Sequence, residues 1–122
     1  MLASLVIPTR NRARVLERTL AALTGQRGPA FEVVVVDDGS EDATPDVARA
    51  YRDRLDLRYL RRAPRGIAAA RTAAMRAAKG DILIQTDDDR VPTPTFVAEH
   101  VAAHADGPRV VAGQQRGLLA AW

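Results

Sequence analysis

"FEVVVVDDGS", Phe31 to Ser40, is the stretch on which the fold turns. Four consecutive valines leave no polar face, which is the pattern of a strand covered on both sides. Such strands belong to parallel sheets flanked by helices. The run then breaks into Asp37, Asp38, Gly39 and Ser40, residues whose backbone preferences suit a turn.

Apolar runs and helical patterns alternate on either side of it. Upstream, "LASLVIP" (2–8) reads as a strand and "RARVLERTLAALTG" (12–25) as a helix. That helix carries Val15, Leu16, Thr19, Leu20 and Leu23 on one face, with Asn11 as its N-cap. Downstream, "TPDVARAYRDRL" (44–55) predicts a helix with Thr44 as N-cap and Pro45 in its first turn. "LRYLRR" (57–62) predicts a strand towards a sheet edge, and "GIAAARTAAMRAAKG" (66–80) an Ala-rich helix stopped by Gly80. "ILIQTDDDR" (82–90) starts as what reads as the most interior strand and runs into three aspartates. A helix over 93–107 and a fifth strand, "RVVAG" (109–113), complete the pattern. Strands alternating with helices predict an α/β fold: a doubly wound, mostly parallel sheet with helices on both faces. Residues 1–122 are expected to form one domain, the first half of a larger arrangement.

Composition narrows the function. The chain is 47% hydrophobic and 27% charged, with 4% aromatic residues and no cysteine, so Ala, Val, Leu and Ile must build the core. Thiolate metal sites and disulfides are excluded. The net charge is +3 and nearly all basic residues are Arg, but they are scattered without stacking aromatics, which argues against nucleic acid. No apolar run approaches the ~20 residues of a membrane span, and "MLASLVIPTR" lacks the basic n-region and long h-region expected of a signal peptide. A cytoplasmic location, or a peripheral one at the cytoplasmic membrane face, is expected.

In open parallel sheets, ligands bind beyond the carboxyl ends of the strands. Three polar clusters fall at such ends: "PTRNR" (8–12), "DDGS" (37–40) and "TDDDR" (86–90). Three aspartates within about 10 Å of chain repel one another, and a divalent cation among them relieves that repulsion. Mg2+ and Mn2+ take oxygen ligands, commonly one or two carboxylates completed by substrate phosphates. The cation therefore implies a phosphorylated ligand. Asp37 and Asp38 can accept hydrogen bonds from ring N–H groups or ribose hydroxyls, and backbone amides of "PTRN" can meet a base edge.

"VIPTRNR", "EVVVVDDGSEDAT" and "AAARTAAMRAAKGDILIQTDDDR" together resemble, in order and spacing, the N-terminal half of family 2 glycosyltransferases. The resemblance implies a GT-A fold and metal-dependent, inverting transfer of a sugar from a nucleotide-diphospho-sugar, UDP-linked, to an acceptor hydroxyl. It implies that Pro8, Thr9, Arg10 and Asn11 border the nucleobase and that Asp38 bonds it. Gly66 and Arg71 would lie near the diphosphate. "DDD" stands where the family has Asp-x-Asp, with Asp89 as principal ligand of Mn2+ or Mg2+, Asp87 assisting, and Asp87 and Asp88 holding ribose and metal-bound water. Arg10 replaces a common Tyr, and Thr72 a common Asn. The catalytic base is expected outside this chain, with the acceptor half. His100 and His104 are read as helix-surface residues.

Two other readings differ in kind. "DDDRV" fits the Asp-x-Asp-x-Val pattern of haloacid-dehalogenase-like phosphatases, which place it on the first strand and not the fourth. The chain could also be a non-catalytic module that binds nucleotide-sugars or a partner. Dinucleotide and P-loop fingerprints do not occur.

Overall fold

The computed structural model describes residues 2–105 and Gly107. Its elements alternate: β1 (Ala3–Thr9), α1 (Ala13–Leu23), β2 (Phe31–Asp37), α2 (Thr44–Ala50), β3 (Leu57–Arg61), α3 (Ile67–Ala77), β4 (Ile82–Gln85) and α4 (Phe96–Ala103). The described strands form one sheet in the order β3-β2-β1-β4, and every pair is parallel. The expected fifth strand lies outside the described residues, as does Asp106.

The valine run does what its pattern demands. Val33 and Val35 join Leu5 and Ile7 under α1, α2 and α4, packing with Leu16, Leu20, Leu23, Ala48 and Val97. Val34 and Val36 join Val6 on the other face, against Ala70 and Ala74 of α3. Alanine at these positions lets α3 lie close to the sheet. The β1–β2 and β2–β3 crossovers run under one face, and α3 returns over the other to bring β4 beside β1. The strand order thus reverses between β1 and β4. There the β1–β4 register stops at Val6↔Gln85, while β1–β2 continues to Thr9↔Asp37. A cleft opens at the carboxyl end.

Pro8 fits because of that divergence. The Thr86 N–H donates to the Val6 carbonyl on the β4 side at 3.2 Å, and Pro8, two residues on, faces the same side beyond the pairing. Its missing N–H leaves no ladder bond unmade.

Several local expectations change. β4 is not the interior strand: among the described residues it is terminal, with Ile82 and Ile84 buried but Leu83 46% exposed. A short apolar run looks alike in both positions, and β1 and β2 are the strands buried along their length. Asn11 does not cap α1. Arg12 occupies that position, and Asn11 takes a left-handed φ of 51°. Thr44 is the first residue of α2 and not its N-cap, which is Ala43; the Asp42 carboxylate before it accepts from the Thr44 N–H (2.9 Å) and hydroxyl (2.6 Å). Gly80 serves packing more than helix termination: a Cβ there would lie 2.5 Å from Ser4 Oγ and 2.7 Å from the Leu2 carbonyl.

Candidate functional site

The three clusters meet across the carboxyl end of the sheet. Thr9, the last residue of β1, donates its hydroxyl to Asp88 at 2.9 Å, tying the end of β1 to the aspartates after β4. Asn11 ties it to the end of β2: its N–H donates to Ser40 Oγ at 2.8 Å and its side-chain carbonyl accepts from the Glu41 N–H at 2.7 Å. The left-handed turn at Asn11 makes both bonds possible. Arg10 beside it is exposed.

The two aspartates of "DDGS" have different roles. Asp37 is fully buried, its carboxylate accepting from the Ser40 N–H at 2.7 Å and from the Tyr59 hydroxyl. Burial and the Asp37 carboxylate push the Tyr59 phenol well above its ordinary value, so it stays a donor. Asp38 turns instead to the loop before α3. Its two oxygens accept from the Arg65 N–H (2.9 Å) and the Gly66 N–H (2.8 Å). Burial alone would raise its pKa, but those amides, with Arg10 and Arg62 nearby, hold it below the ordinary carboxylate range. Gly66 supports this bond with a φ of 96°, a region that favours glycine. The 62–66 loop and the "DDGS" turn are thereby fastened together.

The Asp triplet is graded from buried to open. Asp88 is 4% exposed and bound by Thr9 and by Arg12 Nη1 at 2.9 Å. Burial is the main reason its carboxyl sits above the ordinary value; Thr9 and Arg12 oppose the rise, and Asp89 and Asp87 add to it. Asp87 and Asp89 are 41% and 48% exposed at the side chain. Arg71 and Arg90 lie 3.4 and 3.3 Å from Asp87, and Arg12 and Arg90 lie 3.7 and 3.8 Å from Asp89. Arginines thus temper the repulsion among these carboxylates. Among the described residues no three His, Cys, Asp or Glu side chains form a closed metal cage. Two open carboxylates at a cleft fit a cation whose other ligands arrive on a phosphorylated molecule.

Sequence reasoning missed three contributors. Arg12 and Arg90 close the quoted clusters "PTRNR" and "TDDDR", yet nothing in the spacing pairs them with aspartates. Thr19 counted as part of the apolar face of α1. Its hydroxyl lies 2.7 Å from the Asp88 carbonyl and 2.6 Å from that of Arg90, holding the triplet's backbone on α1. A threonine among buried leucines is itself a signal, since a buried hydroxyl needs a partner. The histidines take no part: His100 packs edge-on against Phe96, and His104 Nδ1 lies 2.7 Å from the His100 carbonyl. Among the described residues no helix is long and apolar enough to cross a membrane.

Comparison with known proteins gives a consistent result. The family model described as "Glycosyl transferase family 2" matches residues 4–118. The chain is 45% identical over 111 residues to validoxylamine A glucosyltransferase of Streptomyces hygroscopicus subsp. jinggangensis, covering 88% of this chain and 26% of that protein. It is 39% identical over 102 residues to hyaluronan synthase of Pasteurella multocida, covering 81% of this chain and 10% of that one. Among solved structures, S. aureus TarS 1-349 in complex with UDP-GlcNAc superposes with a TM-score of 0.80 at 30% identity, over 85% of this chain and 31% of TarS. The mannosyltransferase PcManGT from Pyrobaculum calidifontis, in complex with GDP-Man and Mn2+, gives 0.79 at 34% identity, over 85% and 32%. The chain therefore spans about a quarter of the length of the validoxylamine relative, and less of the synthase.

Proposed function

The chain belongs to glycosyl transferase family 2, and on that premise we propose that it binds the nucleotide-diphospho-sugar donor of an inverting, metal-dependent glycosyltransferase. The observation that carries this reading is the Thr9–Asp88 bond, which joins the β1 end to an aspartate triplet across the cleft where the strand order reverses. In this reading Pro8, Thr9, Arg10 and Asn11 border the nucleobase. Asp38 shapes that pocket by holding Arg65 and Gly66 in place, and Asp37 keeps the turn beneath it rigid. Arg71, at the open side of α3, faces the diphosphate. Asp88, fixed by Thr9 and Arg12, orients the ribose side.

Asp89, with Asp87, would hold Mn2+ or Mg2+, which neutralises charge on the departing diphosphate. The acceptor hydroxyl needs a general base. After the triplet, the carboxylate among the described residues is Glu99, exposed in the first turn of α4. The base therefore comes from outside the described residues.

Titration calorimetry with UDP and with GDP, each with Mn2+ and with chelator, tests the donor reading. Tight binding of one nucleotide with Mn2+ and its loss on chelation is the expected result. Equal binding in chelator overturns the metal bridge, and stronger binding of GDP overturns the uridine assignment.

A further inference from the structure

We infer that Arg12 and Arg90 form a charge lock on the Asp triplet, closing it to a bare divalent cation and opening it to a cation that arrives with a diphosphate. This rests on the donor-binding reading above and assigns it two residues that the motifs left without a role.

Both arginines converge on Asp89. Arg12 is pinned by one nitrogen to buried Asp88 at 2.9 Å and extends another to within 3.7 Å of Asp89. Arg90 spans Asp87 at 3.3 Å and Asp89 at 3.8 Å. With Arg71 at 3.4 Å from Asp87, three guanidiniums stand against three carboxylates. A lone divalent cation at Asp89 would meet two fixed positive charges near the same carboxylate. A diphosphate changes that balance, because it brings negative charge and a planar oxygen pair that a guanidinium fork can grip in place of Asp89. The pairs at Asp89 are long and half-exposed, so a ligand can exchange them. Metal and nucleotide are then positively coupled, each raising the affinity for the other by one factor.

The test measures the two ligands separately and together. Mn2+ binding without nucleotide is followed by loss of the free-ion EPR signal, and UDP binding with Mn2+ by calorimetry. The proteins are wild type, Arg90→Gln and Arg12→Gln, each checked for folding by thermal melt. Arg12→Gln also removes the charged one of the two side-chain partners of buried Asp88, so Arg90→Gln is the variant that decides if Arg12→Gln fails to fold. We expect Arg90→Gln to bind Mn2+ alone about tenfold more tightly and Mn2+ with UDP about tenfold less tightly. A merely structural arginine would not strengthen metal binding when removed. Unchanged or weaker Mn2+ binding by Arg90→Gln, with intact Mn2+–UDP binding by wild type, overturns the lock alone. Absence of Mn2+–UDP binding by folded wild type overturns the donor reading, and the lock with it.

Discussion

Glu32 and Asp89 are both carboxylates within reach of arginine, near opposite ends of one sheet. Glu32, on β2 near the amino end, is 3% exposed and accepts from Ser4 Oγ, the Lys79 N–H at 2.6 Å and Arg58 Nη2 at 2.8 Å. Ser4 Oγ in turn accepts from the Gly80 N–H at 2.7 Å, so the network fastens the segment between α3 and β4 onto β1 and β2. Asp89, beyond the carboxyl end, has two guanidiniums at 3.7 and 3.8 Å and is half open to water. The same pair of functional groups closes the fold at one end and stays exchangeable at the other. Burial and hydrogen-bond count make the difference, not residue type.

The closed end should break hardest. Glu32→Ala strands Ser4, the Lys79 amide and Arg58 without their acceptor. Breaking such a network typically costs 3–5 kcal/mol, and because Arg58 retains some solvent the expected loss is about 3 kcal/mol. Denaturant unfolding measures it. Nucleotide affinity of the folded variant should stay within about twofold, since the site end keeps every contact. Loss of nucleotide binding by a folded Glu32→Ala protein would mean that the two ends are not independent.

Asp89→Ala inverts that outcome. Its pairs are long and exposed, so stability should change by no more than about 0.5 kcal/mol. Metal-dependent nucleotide affinity should fall about a hundredfold, about 2.7 kcal/mol by calorimetry. A strongly destabilised Asp89→Ala protein would make the triplet part of the fold's closure and erase the contrast.

The contrast was half legible in the sequence. Val33 to Val36 announce a strand covered on both faces, and the clusters at Pro8, Asp37 and Asp87 mark three strand ends that do meet. Commitment of individual carboxylates was not legible. Asp37 and Asp38 are neighbours, yet one turns to Tyr59, 22 residues away, and the other to Arg65 and Gly66. Arg12 meets Asp88 across 76 residues. Such pairings depend on strand order, and "ILIQ" carries no mark that puts β4 beside β1 at the end of the described sheet. Glu32 gave no signal either, because one Glu before a valine run looks like a strand's solvated start.

Thr19→Val asks how far the site end draws on the core. Valine keeps the volume but removes the hydroxyl that reaches the Asp88 and Arg90 carbonyls. Loss of a buried hydrogen bond of this kind costs about 1–2 kcal/mol. The triplet backbone should also loosen, weakening Mn2+–UDP binding several-fold, as calorimetry would show. A stability loss with unchanged affinity would show that the loop keeps its aim without α1.

The smallest effect is one of sign, and it compares the two ends directly. The Glu32 carboxyl sits below its ordinary value: burial raises it, but Ser4, the Lys79 amide and Arg58 together lower it further. Between its folded and unfolded pKa values the unfolded chain binds more protons, so this contribution is full above about pH 4.5, its ordinary value, and is lost as pH falls through the folded one. Asp88 is shifted the other way, chiefly by burial. There the folded state binds the proton first, so stability is withheld above the raised pKa and recovered as pH falls towards the unfolded value. Melting curves from neutral to acid pH separate the two. The stability gap between wild type and Glu32→Gln should narrow on acidification, while wild type should gain on Asp88→Asn. Parallel changes would mean that both carboxylates are settled alike in the fold.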